Sequence, residues 1–350
     1  MKYLIIIVFV LLALFILYLI SGLVVLSIIN HRLFGCRTED PDEPCYLTFE
    51  DYQDILDRKP FETYYYVRSI KGYIYQTKFR EDFKGFVILS HGMFGTHVQY
   101  LMDIALLCSN GYRVLAFDNF GCGMSEGNET GSLAQGTYVL ENVIEAVKAE
   151  KLNDGLPLFL YGHSWGGFSV LTAMRNYPEI KGVIARSSPY SQIRAGKCLI
   201  RNLAKKVYCI YGPFISLLSF FMLSHRTRIS VLRGVRKNRK TPVLVLQSKN
   251  DPMVPYDVSA ASFFLRHPKE NVSVKVSDHG LHNTLIEEAS SKAYLEAVSQ
   301  YKEIQKIQDR EERDSQTKEF ISSLQKKKMY RYDESTCQEI IEFLDRNAKA

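Results

Sequence analysis

From Tyr3 to Ile29 the chain runs YLIIIVFVLLALFILYLISGLVVLSII, without one charged side chain. In hydrocarbon such a stretch must satisfy every backbone N–H and C=O internally, and for a single segment that means an α-helix. At about 1.5 Å of rise per residue it exceeds the roughly 30 Å apolar core of a bilayer and can cross it with some tilt. A cleaved signal peptide has an apolar region of about 7–15 residues closed by an A-x-A-like site. This run is about twice that length, and no such site closes it. Residues 1–30 therefore read as a retained, single-pass signal anchor.

Sidedness is less constrained. Lys2 and the amino terminus lie on one flank, Arg32 and Arg37 on the other, followed by the acidic TEDPDE stretch. Acidic residues count little for orientation, so the basic balance is nearly even. Cysteine usage tips the expectation. Seven cysteines, at 36, 45, 108, 122, 198, 209 and 337, form no CxxC pair and no ligand-like cluster with histidine. An odd, scattered set suits free thiols in a reducing compartment, with a Cys36–Cys45 bridge left open. The domain beyond the anchor is accordingly expected on the cytoplasmic side.

That domain has an ordinary globular makeup, with 46% hydrophobic and 23% charged residues over the 350, enough to bury a full core. Residues 31–62 begin polar and carry Pro41, Pro44 and Pro60, which reads as a linker with a short helix over LTFEDYQDILDR. Beyond it, strand-like runs recur at YYYVRSI, YIYQTKF, GFVILSHG, YRVLAFD, LPLFLYG, GVIARSS, PVLVLQS and VSVKVS. Helical patterns such as HVQYLMDIALLCSN and TYVLENVIEAVKAE lie between them. Apolar strands alternating with helices imply an α/β domain, residues 63–350, with a mostly parallel sheet covered on both faces. Only Lys71-Gly72 separates the first two runs, which suits an edge hairpin turning there.

Two segments interrupt this rhythm. Residues 190–240 are too long for a plain connection between the sixth and seventh strands and should form a cap. Residues 284–330 insert a helical pattern (Tyr294, Ala297, Val298, Tyr301, Ile304) and then the charged stretch QDREERDSQTKEF. A closing helix is expected near Ser335, where Ser-x-x-Gln can form a capping box.

Gly162-His163-Ser164-Trp165-Gly166 falls where the LPLFLYG strand meets a helix-like GGFSVLTAMRNY. G-x-S-x-G at a strand–turn–helix junction puts the serine on a sharp, strained turn. The flanking glycines are needed because a Cβ there would collide with a neighbouring strand or helix. A serine hydroxyl is a poor nucleophile until a base takes its proton, and the base needs a third group to hold its tautomer. In this topology acid and histidine follow in chain order on later strand ends. Asp251, in NDPMVP, supplies the acid. His282 is favoured as the base because Gly280-Leu281 let the loop turn back over the sheet, while His279, nearer the strand end, stays an alternative. Asp278 is too close to its neighbouring histidine to reach around it. The oxyanion needs two backbone N–H groups. Trp165, after the serine, offers one, and Met93, in the glycine-containing loop LSHGMFGTH, is the candidate for the other.

Taken together, SHGMFG, FDNFGCGMSEG, GHSWGG, NDPMVP and GLHN make residues 62–283 and the last helix resemble an α/β-hydrolase-fold serine hydrolase. The branch is that of monoacylglycerol lipases, carboxylesterases and serine aminopeptidases. The resemblance implies an acyl-enzyme on Ser164, a carboxylic ester or thioester as substrate, and neither cofactor nor metal. The anchor, the 284–330 insertion and an unusually basic cap depart from that pattern. Between Tyr190 and Lys240 there are twelve Lys or Arg and no Asp or Glu. Within it CIYGPFISLLSFFML is too short to span a bilayer but suits the interface. The cap is therefore expected to face the membrane and admit lipid-like esters. Peptidase activity is the enzymatic alternative, and a catalytically idle scaffold the non-enzymatic one. No recognition-module pattern points to nucleic acid.

Overall fold

The computed structural model describes residues 1–203, 205–212 and 229–349. Its strands are β1 (Leu56–Tyr65), β2 (Arg68–Thr77), β3 (Gly85–Ser90), β4 (Tyr112–Phe117), β5 (Leu158–His163), β6 (Gly182–Arg186), β7 (Val243–Ser248) and β8 (Val272–Ser277). They form one sheet in the order β1-β2-β4-β3-β5-β6-β7-β8. The first two pairings are antiparallel and all others parallel. Every residue of β3, β5, β6 and β7 is buried, as expected of parallel strands with helices on both faces. One face packs against α2 (Leu101–Ser109) and the closing helix; the other packs against α3 (Leu133–Ala149) and α4 (Trp165–Ala173).

The edge of the sheet departs from expectation. The hairpin turns at Tyr66-Val67, not at Lys71-Gly72, because β1 and β2 pair from Leu56↔Thr77 to Tyr65↔Arg68. Gly72 lies inside β2, where a Cβ would come within 2.2 Å of the Ala116 carbonyl oxygen on β4. Its glycine serves a close backbone approach, as glycines inside strands often do. The 31–62 linker likewise ends early, since β1 starts at Leu56, and the expected helix shrinks to a 3₁₀ turn at Phe49–Asp51. Leu56 and Phe61 are buried in the core, and that burial carries the segment into the sheet. The closing helix starts one residue before Ser335. Asp333 caps it, accepting from Thr336 N–H at 2.8 Å, where a carboxylate also meets the helix dipole.

The apolar amino-terminal segment is one helix, α1 (Lys2–Phe34), long and apolar enough to cross a membrane, whose two halves differ. Residues 1–17 are exposed throughout. Below them, Leu19, Leu23, Leu26 and Ile29 pack against Ile200 of α5 (Gln192–Leu203) and Val207, Tyr208 and Tyr211 of α6 (Lys205–Tyr211). Tyr18 Oη donates to the Ile210 carbonyl at 2.6 Å. Both α5 and α6 belong to the cap, which lies between β6 and β7. Residues 213–223 of its apolar run are outside the described residues. The cap resumes as α7 (Val231–Lys237), and α8 (Ala260–Arg266) follows β7.

The insertion is helical, with α9 (Glu288–Ile304), α10 (Arg310–Ser323) and the short α11 (Lys326–Met329) before the closing helix α12 (Glu334–Ala348). Tyr294, Ala297, Val298, Tyr301 and Ile304 form one cluster with Phe320 and Cys45. Cys45 is thereby buried while Cys36 is exposed, and no disulfide joins them. The stretch before β1 is thus bound to the insertion and is not a free linker.

Candidate active site

Ser164 joins β5 to α4 with φ 56° and ψ −113°, a region an L-residue occupies only under constraint. Two glycines make that turn possible. A Cβ on Gly166 would stand 1.9 Å from the Ser90 carbonyl oxygen of β3, and one on Gly162 would stand 2.3 Å from the Gly166 carbonyl oxygen. The turn is further held by Ser164 N–H, which donates to the Arg186 carbonyl at 2.8 Å.

Asp251 and His282 are in contact. Nδ1 of His282 lies 2.9 Å from both carboxylate oxygens. Oδ1 of Asp251 also accepts from the N–H groups of Met253 and Val254, at 2.8 and 2.9 Å, and Oδ2 from Gln247 Nε2 at 3.0 Å. Carboxylate oxygens accept, so Nδ1 carries the proton, and Nε2 is the nitrogen left for the serine. Ser164 and His282 together line two cavities. His279 does neither: its ring is largely exposed, and Nε2 lies 3.2 Å from Asp333. Asp278 is exposed and pairs with Lys249.

Met93 lines both cavities beside Ser164. In its loop, Gly92 N–H is taken by the Tyr100 hydroxyl at 2.8 Å. Among the described residues neither Met93 N–H nor Trp165 N–H has an acceptor. The loop is braced from below by His91, whose Nδ1–H donates to Gly92 O at 2.7 Å while Nε2 accepts from Asn119 N–H at 2.9 Å. Burial pushes the His91 pKa down, consistent with a neutral ring making those two bonds. The Trp165 indole is buried, donates to Leu133 O at 2.7 Å and walls the smaller cavity.

The serine aminopeptidase, S33, family matches residues 81–229. Over 230 residues the chain is 26% identical to a monoglyceride lipase homolog of Monkeypox virus, which spans 57% of this chain and 82% of that protein. It is 32% identical over 142 residues to a proline iminopeptidase of Saccharolobus solfataricus, 39% of this chain and 44% of that one. An esterase of Pyrococcus furiosus has a TM-score of 0.56 to it at 18% identity, over 89% of this chain and 98% of the esterase. This chain has the α/β-hydrolase fold.

The candidate site is held by residues that its motifs do not specify. His163, the variable position of the elbow, is buried and its ring lies 4.6 Å from that of His282. Its Nδ1 is 2.8 Å from the Tyr100 hydroxyl and its Nε2 is 3.0 Å from the His282 carbonyl. A carbonyl only accepts, so Nε2 bears the proton and Tyr100 donates to Nδ1. The chain of bonds therefore runs from Gly92 N–H through Tyr100 and His163 to the backbone of His282. Ser187 Oγ donates to the same carbonyl at 2.6 Å. Burial, His282 and Arg186 hold the His163 pKa well below its ordinary value, so the ring stays neutral.

Arg186 is fully buried and pairs with buried Asp103. Its Nη1 donates to Asn283 Oδ1 at 3.0 Å, next to His282, and Tyr161 Oη donates to Asp103 at 2.6 Å. His163 stood inside the motif as an unassigned letter. Arg186, Asp103 and Tyr100 carried no sequence signal, since only folding brings them together.

Proposed function

We propose that this chain is a membrane-anchored serine hydrolase that cleaves lipid-like carboxylic esters through an acyl-enzyme on Ser164. The observation that carries this reading is the Asp251–His282 pair lining the same cavities as the strained Ser164. Nε2 of His282 takes the hydroxyl proton as Oγ attacks the ester carbonyl. The oxyanion forms against Met93 and Trp165 N–H, and the imidazolium is stabilised by Asp251. His282 then protonates the leaving alcohol, and water repeats the sequence on the acyl-enzyme. The match to the monoglyceride lipase homolog extends over 82% of that protein, against 44% for the proline iminopeptidase, which supports an ester. Among the described residues, no carboxylate lines either cavity to hold a substrate amino terminus.

The anchor supports a substrate drawn from the membrane. Its exposed part, residues 1–17, is about 25 Å long at 1.5 Å per residue, short of the roughly 30 Å core. Crossing the bilayer therefore draws the α1–α6 contact into the interface. Lys205 and Lys206 open α6, where basic side chains near anionic headgroups each contribute about 1 kcal/mol. Leu33 and Phe34, at the foot of α1, pack with Met93, Leu133, Trp165 and Ala195, all four of which wall the smaller cavity. The site thus lies on the face from which α1 emerges, about 20 Å further along the helix than the interface.

A fluorophosphonate probe tests the chemistry. It should label the full-length chain in detergent and fail to label Ser164→Ala or His282→Ala. Equal labelling of wild type and Ser164→Ala would end the proposal.

A further inference from the structure

The catalytic pair stands between two cavities, and the larger is walled on one side by the insertion. It measures about 400 Å³ and reaches from Ser164 and His282 to Ser291, Tyr294 and Leu295 of α9. A volume of that order holds a drug-sized group. Leu281 and Asn283, the neighbours of His282, also line it, whereas the smaller cavity runs under Trp165 and along cap residues Ala195 and Cys198. Because His282 must hand its proton to the leaving oxygen, the leaving group departs on the side of the His282 loop. The wall of that side carries one unusual group. Ser291 is 9% exposed; its hydroxyl is withdrawn from the cavity surface and has no hydrogen-bond partner among the described residues, so it meets a ligand after a rotamer change about its one side-chain torsion. A buried hydroxyl left unpaired costs free energy unless a ligand or water satisfies it.

On the ester-hydrolase reading above, we propose that α9 forms the leaving-group pocket and that Ser291 binds a polar group of a bulky, amphipathic alcohol. The acyl chain then occupies the smaller cavity, toward α1 and the membrane. The alcohol's apolar body lies against Tyr294, Leu295 and Ile286, with its second oxygen toward Ser291. The insertion lies outside residues 81–229, where the family match falls.

The test uses full-length protein in detergent and two ester series. One varies the alcohol, ethanol against 1-O-octylglycerol, on a constant acetyl group; the other varies the acyl group, acetyl against octanoyl, on constant ethanol. Wild type should prefer the octylglycerol ester. Ser291→Ala should lower kcat/KM for that ester about 5–10-fold, the scale of one neutral hydrogen bond, with both ethyl esters within twofold. Leu295 is 55% exposed at the cavity mouth and tolerates a larger side chain. Leu295→Trp should reduce octylglycerol ester turnover at least tenfold and leave the ethyl esters alone. A shift in acyl preference instead of alcohol preference would overturn the assignment, as would no change in either variant. Both variants should still react with the fluorophosphonate probe. If wild type is neither labelled nor active on any ester, the hydrolytic reading fails; if it is labelled and active but the variants lose all substrates equally, only the leaving-group assignment fails.

Discussion

Arg186→Met offers the sharpest test of how the site is held. The Arg186 and Asp103 side chains are 0% and 2% exposed, so removing the cation strands a carboxylate inside the core. Breaking a buried pair from one side costs about 3–5 kcal/mol, because the remaining charge is neither solvated nor matched. Here Tyr161 still donates to Asp103 at 2.6 Å, which places the expected loss near the lower figure. At about 2–4 °C per kcal/mol for a large domain, Tm should fall by roughly 6–12 °C. Thermal unfolding of the full-length chain in detergent reads it directly. Replacing both partners, as Asp103→Leu with Arg186→Met, removes the stranded charge and should recover most of that loss. Activity should not recover with it. The Nη1 bond to Asn283 is gone in the double variant as well, and His282 loses a brace beside it. Additive losses in the double variant, or a Tm change below about 2 °C in the single one, would refute the argument.

Three further outcomes follow from the same geometry. His163 is held well below its ordinary pKa near 6.5 by burial, His282 and Arg186, so below pH 6.5 the unfolded chain binds a proton that the folded chain refuses. Stability from this ring is therefore complete above pH 6.5 and declines as pH falls, by up to about 1.4 kcal/mol per pH unit; His163→Gln should flatten that decline in melts taken from pH 7 to 5. Gly166→Ala brings a Cβ to within 1.9 Å of Ser90 O and must displace Trp165 N–H, so kcat should drop by about 10²-fold or more, measured on a soluble p-nitrophenyl ester. Phe34→Ala opens the cluster with Cys122, Leu133 and Trp165 and should cost about 3 kcal/mol; an unchanged Tm would mean that the foot of the anchor is not docked.

Much of the site was legible because its parts are local. Gly162, Ser164 and Gly166 sit within one turn, and steric exclusion ties the motif to its conformation. The loop after β7 offered one acid, Asp251, and the loop after β8 two histidines, His279 and His282, of which the chain's turn at Gly280-Leu281 favoured the second. The edge hairpin was misread for the opposite reason. Gly72 looked like a turn, yet its glycine answers to a strand 44 residues away in sequence, where Ala116 leaves no space for a Cβ. The capping box at Ser335 was misplaced because Asp333, two residues earlier, competes for the same backbone donors. Tyr100, His163 and Arg186 stabilise the site only through partners far off in the chain, and no periodicity reports such pairs.

Sequence by itself determined the apolar helix at the amino terminus, the alternation of strands and helices, and the strained serine turn, because each depends on neighbours a few residues apart. Tertiary structure alone decided which histidine meets Asp251, that the foot of α1 packs beside the catalytic cavity, and that the charged insertion walls its far side. Those contacts join segments separated by up to hundreds of residues, and their energies exist only once the sheet has brought its strand ends to one rim.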